Sequence, residues 1–360
     1  RERTVSDEKQ PISITIRTPA ASRTRCAFPP RLAPRSPPCP KPPCERTVSD
    51  EKQPISITIR TPGNRQPVRR VRHGVEDLVV ASEALAAGQL TRQVLRTSYV
   101  KLHHNVYAPI DMTLTAADRA RAAWLWSRRE ATVAGLSAAA LLGAKWLPTD
   151  QPAELARVRA AVAPGIVVHR GSIADDELCL IESIDTTTPA RTAYDIGRRT
   201  CGDDAVIRID SLLNATRCAP AEVKALAARY PGARGNRLLR STLDLVDGGA
   251  ESPQETRLRL LLIRNGFPRP VTQIPVTDKH GRVIRRIDMG WPQHLVGVEY
   301  DGGHHWTDPD AHAADITRLE FLAARGWLII RVSSRQLRYE QQSIVRRVAS
   351  ALRQRDRFIP

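Results

Sequence analysis

Short amphipathic segments follow one another between residues 78 and 109. The first apolar residues recur at the spacing of a helix, and they are Leu78, Val79, Leu85 and Ala86. Gly88 is placed to end that helix, and Thr91 is a good N-cap for a second, shorter helix over Arg92–Ser98. Apolar residues then alternate on both sides of the polar tip His103–Asn105, which indicates two short strands. The pattern predicts helix, turn, helix and β-hairpin.

This order of elements is that of a winged helix-turn-helix. In such a domain the second helix faces a groove of double-stranded DNA, and the hairpin meets backbone phosphates. The side chains that would do so are Arg92, Gln93 and Arg96 on the helix and Lys101, His103 and His104 on the hairpin. A small helical domain with a solvated basic face is the other interpretation of the same pattern.

The last hundred residues alternate between helical and strand periods in the order αβββαβα. The predicted elements are helix Pro253–Asn265, strands Val271–Thr277, Arg282–Met289 and Leu295–Asp301, helix Ala311–Arg325, strand Trp327–Val332 and helix Ser343–Arg353. Such an order is typical of a sheet with helices packed against it.

Carboxylates concentrate on the third of these strands, VGVEYD. A period of two places Glu299 and Asp301 on one face, and Asp288 reaches the same place if its strand pairs with this one. Crowded carboxylates repel each other and lose hydration unless a cation or proton lies between them. Three convergent carboxylates suit Mg²⁺ or Mn²⁺, with Asp288 and Glu299 as the expected ligands. Zinc is disfavoured, because no cysteine lies among the histidines between His280 and His312.

Four pieces of this region resemble the restriction-endonuclease-like, PD-(D/E)XK superfamily, and most closely its very-short-patch-repair-like branch. They are SPQETRLRLLL, RRIDMGWP, VGVEYDGGHHW and DITRLEFLAARGWLIIRV, in that order between Ser252 and about Leu352. The resemblance implies a Mg²⁺-dependent deoxyribonuclease. Asp301 stands where the superfamily has a lysine, so His304 or His305 becomes the expected base. The catalytic residues that it implies are Glu255, Asp288, Glu299, Asp301, His304, His305 and Arg318.

Several of these residues also have a structural interpretation. Glu255 can complete a capping box with Ser252 at the start of its helix, a role compatible with catalysis. Asp301 can shape the Asp-Gly-Gly turn, and the two histidines after it can solvate that turn. Arg318 can pair with Asp315, one helical turn before it.

Three earlier segments are similar to AbiEi-type antitoxin and regulator proteins. They are ASEALAAGQLTRQVLRTSYVKLHHNVYAP, ATVAGLSAAALLGAKWLP and ESIDTTTPARTAYDIGRR, within Val75 to Asp247. This resemblance implies a DNA-binding autoregulator, in some members paired with a nucleotidyltransferase-like toxin. In the last segment Thr186–Thr188, Arg191 and Asp195 are interpreted as a capped helix start.

The 55 Lys and Arg residues against 38 Asp and Glu give the chain a net charge of +17, which indicates an anionic partner. Residues 1–72 hold +10 of this charge and 13 of the 27 prolines, so they are expected to form a disordered tail. The tail repeats ERTVSDEKQPISITIRTP at Glu2–Pro19 and Glu45–Pro62. The ISITI of each copy alternates like a strand, but nothing around it is expected to supply a sheet.

We therefore expect an α+β or α/β multidomain protein. Its parts are the tail (1–72), a winged helix-turn-helix (73–130), an α/β middle region (131–247) and a restriction-endonuclease-like domain (251–356). The absence of a long apolar run and of a secretory signal pattern predicts a cytoplasmic protein without membrane contact. The expected function is metal-dependent DNA cleavage. The alternative is a non-catalytic transcriptional regulator or antitoxin whose nuclease-like domain only binds nucleic acid.

Overall fold

The chain folds as a mixed α/β protein. The structure, a computed structural model, describes residues 58–59, 78–156, 163–302 and 309–356, and the burial of side chains in all of these except 58–59 and 309–315. Within these ranges twelve α-helices accompany thirteen strands in three sheets. The described ranges contain no helix long and apolar enough to cross a membrane.

The N-terminal unit (78–109) is small and built around a three-stranded antiparallel sheet. Strand β1 (Thr58–Ile59) precedes this unit in the chain. The elements of the unit are β2 (Val79–Val80), α1 (Ala81–Ala86), α2 (Arg92–Ser98), β3 (Tyr99–His103) and β4 (Val106–Pro109). The strand order is β2-β4-β3. Thr91 caps α2 as predicted, since its hydroxyl accepts the Val94 N–H at 3.2 Å. The predicted start of the first helix is wrong, because Val79 and Val80 pair with the hairpin strand β4 instead.

The middle region surrounds the largest apolar core. Its elements are α3 (Ala116–Trp126), β5 (Thr132–Val133), α4 (Gly135–Leu141), β6 (Ala153–Ala156), β7 (Ile166–His169), β8 (Leu178–Ile181), β9 (Ile184–Thr187), α5 (Pro189–Arg199), α6 (Asp203–Thr216), α7 (Pro220–Arg229) and α8 (Asn236–Leu243). The sheet order is β1-β8-β9-β5-β6-β7. Helices α3 to α8 all contribute buried apolar residues to the core.

Strand β1 comes from the second copy of the duplicated tail segment. Thr58 pairs with Leu180 and Ile59 pairs with Cys179, antiparallel to β8. The expectation that nothing supplies a sheet for this segment is therefore wrong at these two residues, since β8 offers an open edge. The rest of the predicted tail, including the first copy, lies outside the described residues.

The TTTPARTAYDIG motif forms the capped helix start that was predicted. The Thr188 hydroxyl accepts the Arg191 N–H at 3.3 Å, and Pro189 opens α5. The buried Arg191 guanidinium pairs with the carboxylates of Glu177 and Asp195. Arg198 and Arg199 also pair with Asp195, so the buried acids are balanced by arginines and the motif has a structural role.

The C-terminal unit (253–356) has the predicted order αβββαβα, with one additional short helix. Its elements are α9 (Pro253–Arg264), β10 (Val271–Thr277), β11 (Val283–Trp291), β12 (Val296–Asp301), α10 (Pro309–Ala324), β13 (Leu328–Ser333), α11 (Ser334–Tyr339) and α12 (Gln341–Asp356). The sheet order is β10-β11-β12-β13, and only the β12–β13 pair is parallel. One apolar cluster joins the sheet to α9 and α12, and a second joins it to α10, so helices cover both faces.

Helix α9 belongs to both the middle region and the C-terminal unit. Leu258 and Leu262 lie in the C-terminal core, whereas Leu260 lies in the core of the middle region. Between them Arg259, fully buried, pairs at 2.7 Å with Asp210 of α6, which is 1% exposed. The contacts of these three leucines alone would allow α9 to shift along its axis. A buried ion pair, in contrast, has one low-energy geometry.

The carboxylate of Asp210 is saturated by further donors. Its Oδ1 atom accepts the Asp247 N–H at 2.6 Å, and its Oδ2 atom accepts the Thr256 hydroxyl at 2.9 Å. Arg259 also donates to the Leu245 carbonyl oxygen at 2.6 Å. The segment that leads into α9 is thus held by the same ion pair as the helix itself.

We predict that Arg259→Met destabilises the protein by about 3–5 kcal/mol, because it leaves the Asp210 carboxylate buried without a cation. The matched control is Arg264→Met. Arg264 lies on the same helix and also pairs with an aspartate of α6, Asp203, but its side chain is 51% exposed. That control is expected to lose less than about 1 kcal/mol. Urea unfolding of the three proteins compares them, and equal losses in the two variants would contradict the assignment.

Candidate active site

Asp288 lies opposite Gln273 in the register of β10 and β11. The pairs Thr272–Met289 and Ile274–Ile287 flank Gln273 and Asp288, and Gln273 has a left-handed backbone with φ of 49°. The Asp288 Oδ2 atom accepts the backbone N–H of Tyr300 at 2.8 Å. This bond ties the carboxylate to β12 at the residue that follows Glu299.

Glu299 is buried in the middle of the C-terminal unit, with 3% of its surface exposed. It stands opposite Arg331 in the parallel register of β12 and β13. Arg318 of α10 reaches down to its carboxylate and forms an ion pair. Strand β12 and helix α10 therefore bring Glu299 and Arg318 together.

Glu255 occupies the first turn of α9, where it serves the helix end. Its Oε1 atom accepts the Ser252 hydroxyl at 2.8 Å, and its Oε2 atom accepts the Glu251 N–H at 2.9 Å. The Ser252 hydroxyl oxygen in turn accepts the Glu255 N–H at 3.2 Å, which confirms Ser252 as the N-cap. The predicted capping box is not completed, because the Glu255 carboxylate accepts the backbone N–H of Glu251 and the Ser252 hydroxyl instead of the backbone N–H of Ser252. The Gln273 amide lies 3.5 Å from Oε2 and connects this turn to β10.

These acidic side chains act on one another, and we name Glu251, Glu255, Asp288 and Glu299 the carboxylate cluster. Burial is the main reason that the pKa of Glu255 rises to about 6, and the charges of Asp288 and Glu251 add to it. Burial likewise raises the pKa of Asp288 to about 6, with Glu299 raising it further and the Tyr300 amide and Arg318 opposing. Arg318, which pairs with Glu299, opposes the rise in the pKa of Asp288 but does not cancel it.

Asp301 has a separate partner. It follows Glu299 by two residues on β12, and its Oδ2 atom accepts from the Arg331 guanidinium at 2.7 Å. His304 and His305, the expected bases, lie outside the described residues, as does the side chain of Asp315. The alternative pairing of Arg318 with Asp315 stays a prediction.

The donor set of the cluster fits a hard divalent cation. Carboxylate oxygens are the ligands that Mg²⁺ and Mn²⁺ prefer, and Mg²⁺ commonly takes only one or two of them and keeps several waters. In the described part of the chain no three His, Cys, Asp or Glu residues are grouped closely enough to hold a metal. Asp288 and Glu299 could serve as two ligands of a largely hydrated ion, and a cation near Asp288 would offset the effects that raise the pKa of its carboxyl.

Sequence reasoning missed three contributors to this site. Glu251 donates its backbone N–H to Glu255, the Gln273 amide reaches Glu255 from β10, and Arg331 pairs with Asp301. The signals in the sequence were weak: an extra acid before the cap, and a polar residue within an apolar strand. Their roles depend on which strands pair, and a single sequence does not state that.

The residues expected to contact DNA are mostly exposed in the N-terminal unit. Arg92, Gln93 and Arg96 are exposed on α2, and Lys101 and His104 are exposed on the hairpin; only His103 is half-buried. The His103 ring lies 6.4 Å from that of Trp126, and burial, with the charge of Arg119 adding, lowers its pKa. The location of His103 suits packing better than phosphate contact.

The tip of the hairpin is anchored on α1. The carbonyl oxygen of Asn105 accepts the Ala81 N–H at 2.9 Å, and its side-chain oxygen accepts the Ser82 N–H at 3.0 Å. Asn105 adopts a left-handed backbone with φ of 66°, which asparagine tolerates better than most residues. The hairpin and the helix pair therefore form one rigid piece.

We predict that Asp288→Asn stabilises the metal-free protein at pH 8 by roughly 3 kcal/mol and has little effect at pH 4. The folded pKa of about 6 lies above the unfolded value of about 3.9, so the folded state binds the proton more tightly. Stability is therefore lost as the pH rises through this window, at about 1.4 kcal/mol per pKa unit. The asparagine cannot ionise, yet its amide oxygen still accepts the Tyr300 N–H. Urea unfolding at pH 4, 6 and 8 measures the difference.

The matched control is Asp278→Asn in the turn before β11. The backbone amides of Arg282 and His280 hold the pKa of Asp278 below its usual range, so the variant should become less stable relative to the wild type as the pH rises. If the wild type were more stable than Asp288→Asn at pH 8, ionisation of Asp288 would not cost stability, and a raised pKa of Asp288 would be refuted.

The chain was compared with protein-family models, curated proteins and solved structures. No family model matches it, and no solved structure gives a significant match. Two curated proteins of Mycobacterium tuberculosis do match: the uncharacterized protein Rv2248 of strain H37Rv and the uncharacterized protein MT2308 of strain CDC 1551. Each is 31% identical over 195 residues, which cover 54% of this chain and 71% of the relative. The chain therefore belongs to the protein family that these two mycobacterial proteins represent.

Proposed function

We propose that the protein binds double-stranded DNA through its N-terminal unit and hydrolyses phosphodiester bonds in its C-terminal unit with Mg²⁺ or Mn²⁺. One observation carries this proposal. Carboxylates from a helix and from two neighbouring strands, Glu255, Asp288 and Glu299, act on one another in a largely buried cluster. Proteins rarely bury several like charges without a functional reason.

The topology of the C-terminal unit supports a restriction-endonuclease-like fold. A helix precedes three antiparallel strands, a second helix follows, and a fourth strand adds parallel to the third. The resemblance of the sequence to very-short-patch-repair-like enzymes places its acidic residues on this helix and on these strands. Fold and resemblance together suggest which side chains would meet the scissile phosphate.

Each side chain then has a distinct task. Tyr300 and Arg318 hold the carboxylates of Asp288 and Glu299 in place, so that both can serve as metal ligands. A bound divalent cation would supply charge stabilisation at a phosphoryl oxygen and lower the pKa of water. Glu255, with its pKa near 6, can hold or release a proton close to neutral pH. His304 or His305 would accept the proton of the attacking water.

The N-terminal unit is proposed to be a winged helix. Its support is the order of β2, α1, α2 and the β3–β4 hairpin around a sheet of order β2-β4-β3. Helix α2 presents the exposed arginines Arg92 and Arg96 four residues apart, on the same side of the helix. Such a helix can enter the major groove, while the basic residues contact phosphates.

A non-catalytic regulator or antitoxin is the second candidate function. One observation favours it: Arg318 pairs with Glu299, and Arg331 pairs with Asp301. Two guanidinium groups thus pair with the acids of β12 that a metal ion would otherwise use. A domain of this kind could bind nucleic acid, or a toxin partner, without cleaving anything.

We predict that the full-length protein cleaves DNA only when Mg²⁺ or Mn²⁺ is present, and that Glu299→Gln and Asp288→Asn lose on the order of a hundredfold or more in rate. Several kcal/mol of charge stabilisation depend on the metal, and each 1.4 kcal/mol is a factor of ten. Supercoiled plasmid, single-stranded circular DNA and mismatched duplexes serve as substrates. The whole chain is required, because Arg259 of α9 depends on Asp210 of the middle region.

Asp278→Asn is the control for this assay, since it removes an aspartate from an exposed turn of the same unit. It should cleave like the wild type. Cleavage that survives in both active-site variants would point to a contaminating nuclease. Metal-independent binding without cleavage of any of these DNAs would favour the regulator.

We further predict that Arg92→Ala with Arg96→Ala weakens binding to duplex DNA and reduces the slope of log K against log salt by about 2. Each phosphate contact releases about 0.9 counterion, so the loss of two contacts is visible in the slope. Fluorescence anisotropy at several salt concentrations, without divalent cations, gives both quantities. The control is Arg237→Ala with Arg240→Ala, two exposed arginines of α8. If the two double variants behave alike, α2 is not the DNA-binding helix.

A further inference from the structure

Trp146 is an exposed aromatic side chain in an unusual backbone conformation. It follows α4 in the middle region, 63% of its surface is exposed, and its φ is 60°. Bulky residues rarely adopt this left-handed conformation, and such outliers concentrate at functional sites. Neither the exposure of the ring nor the left-handed backbone favours folding.

The indole is nevertheless held firmly. Ser211 of α6 binds the backbone of the preceding residue twice: its hydroxyl oxygen accepts the Lys145 N–H at 2.7 Å, and the hydroxyl donates to the Lys145 carbonyl at 2.8 Å. The indole Nε1–H donates to the carbonyl oxygen of Glu251 at 3.1 Å. Hydrogen bonds to the backbone of Lys145 and from the indole N–H, rather than apolar packing, therefore hold the ring in its exposed position.

These bonds place Trp146 at the rim of the carboxylate cluster. Glu251, which accepts the indole N–H, gives its own backbone N–H to the Glu255 carboxylate at 2.9 Å. Glu251 also acts electrostatically on Asp288. A residue more than a hundred positions before α9 thus lies one hydrogen bond from the cluster, and the middle region contributes to the site.

The chemistry of this rim fits a nucleobase. An exposed indole offers a flat apolar face on which any base can stack, and the exposed Lys145 beside it can contact a phosphate. An aromatic platform next to a cation is the combination that proteins use for unpaired nucleotides. A paired base is already stacked in its duplex, so it gains little from such a platform.

We propose that Trp146 stacks on an unpaired or flipped-out nucleobase of the DNA whose phosphodiester lies at the carboxylate cluster, with Lys145 on the backbone of the same strand. This inference rests on the proposed function and adds a binding element to it: a base-stacking platform that the middle region, and not the C-terminal unit, supplies. The middle region then selects the substrate, and the C-terminal unit acts on it.

The test compares Trp146→Ala, Trp146→Phe and the control Tyr339→Ala, which removes another exposed ring, 73% exposed. Anisotropy without divalent cations measures binding to a duplex with one unpaired base and to its fully paired counterpart. Trp146→Ala should bind the unpaired-base duplex about tenfold more weakly, because one stacking contact is lost, and the paired duplex almost as well as the wild type. Trp146→Phe keeps a stacking face without the N–H donor and should stay within about threefold of the wild type. Tyr339→Ala should match the wild type on both duplexes.

Two results would overturn the inference. If Trp146→Ala bound each of the two duplexes as tightly as the wild type does, stacking would be excluded. Equal weakening in Trp146→Ala and Trp146→Phe would mean that the indole acts only by holding Glu251. A cleavage assay with the same oligonucleotides separates this inference from the proposed function. Binding that depends on the ring without any cleavage supports the base platform and refutes the nuclease; cleavage with no dependence on the ring refutes the platform alone.

Discussion

The ion pair between Asp210 and Arg259 is the constraint on which the arrangement of the site depends. Both side chains are almost completely buried, so neither charge is tolerable without the other. The pair fixes helix α9 against α6, and Asp210 also holds the backbone of Asp247 just before that helix. Glu255 lies one turn before Arg259 on the same helix. The position of an acid in the site is therefore determined by a contact with the middle region.

The site itself is built from acidic side chains that raise one another's pKa values. Asp288 and Glu299 come from adjacent strands, and Glu255 comes from the start of α9. Arg318 forms an ion pair with Glu299. Burial raises the pKa values of Glu255 and Asp288 to about 6, so near neutral pH the folded protein holds ionised acids that would prefer a cation nearby. That unfavourable charge is what a hydrated divalent ion would relieve. The same cluster would account for cleavage in one proposal and for nucleic-acid binding without cleavage in the other.

Local patterns predicted much of this structure. The αβββαβα order of the C-terminal unit, helix α2 with its Thr91 cap and the cap at Ser252 all follow from neighbours in sequence. The predictions failed where strand pairing between residues distant in sequence determines the structure. Val79 and Val80 have helical spacing but lie in a strand because the hairpin offers an edge, and Thr58–Ile59 pair with β8 in the same way.

The site was predictable only in part for the same reason. Strand alternation suggested that Asp288 and Glu299 approach each other, which follows from one hairpin. The partner of Arg259, the place of Gln273 and the location of Trp146 depend on contacts across 18 to 105 residues. A single sequence carries no direct record of such contacts.

The most direct test of the account is calorimetric titration of the full-length protein with Mn²⁺. The wild type should bind one ion per chain at pH 7.5 and release protons on binding at pH 6, where Glu255 and Asp288 are partly protonated. Asp288→Asn and Glu299→Gln should remain folded and lose the binding. A wild type that shows no Mn²⁺ binding at millimolar concentration, or variants that bind as tightly as the wild type, would contradict the metal site in the carboxylate cluster.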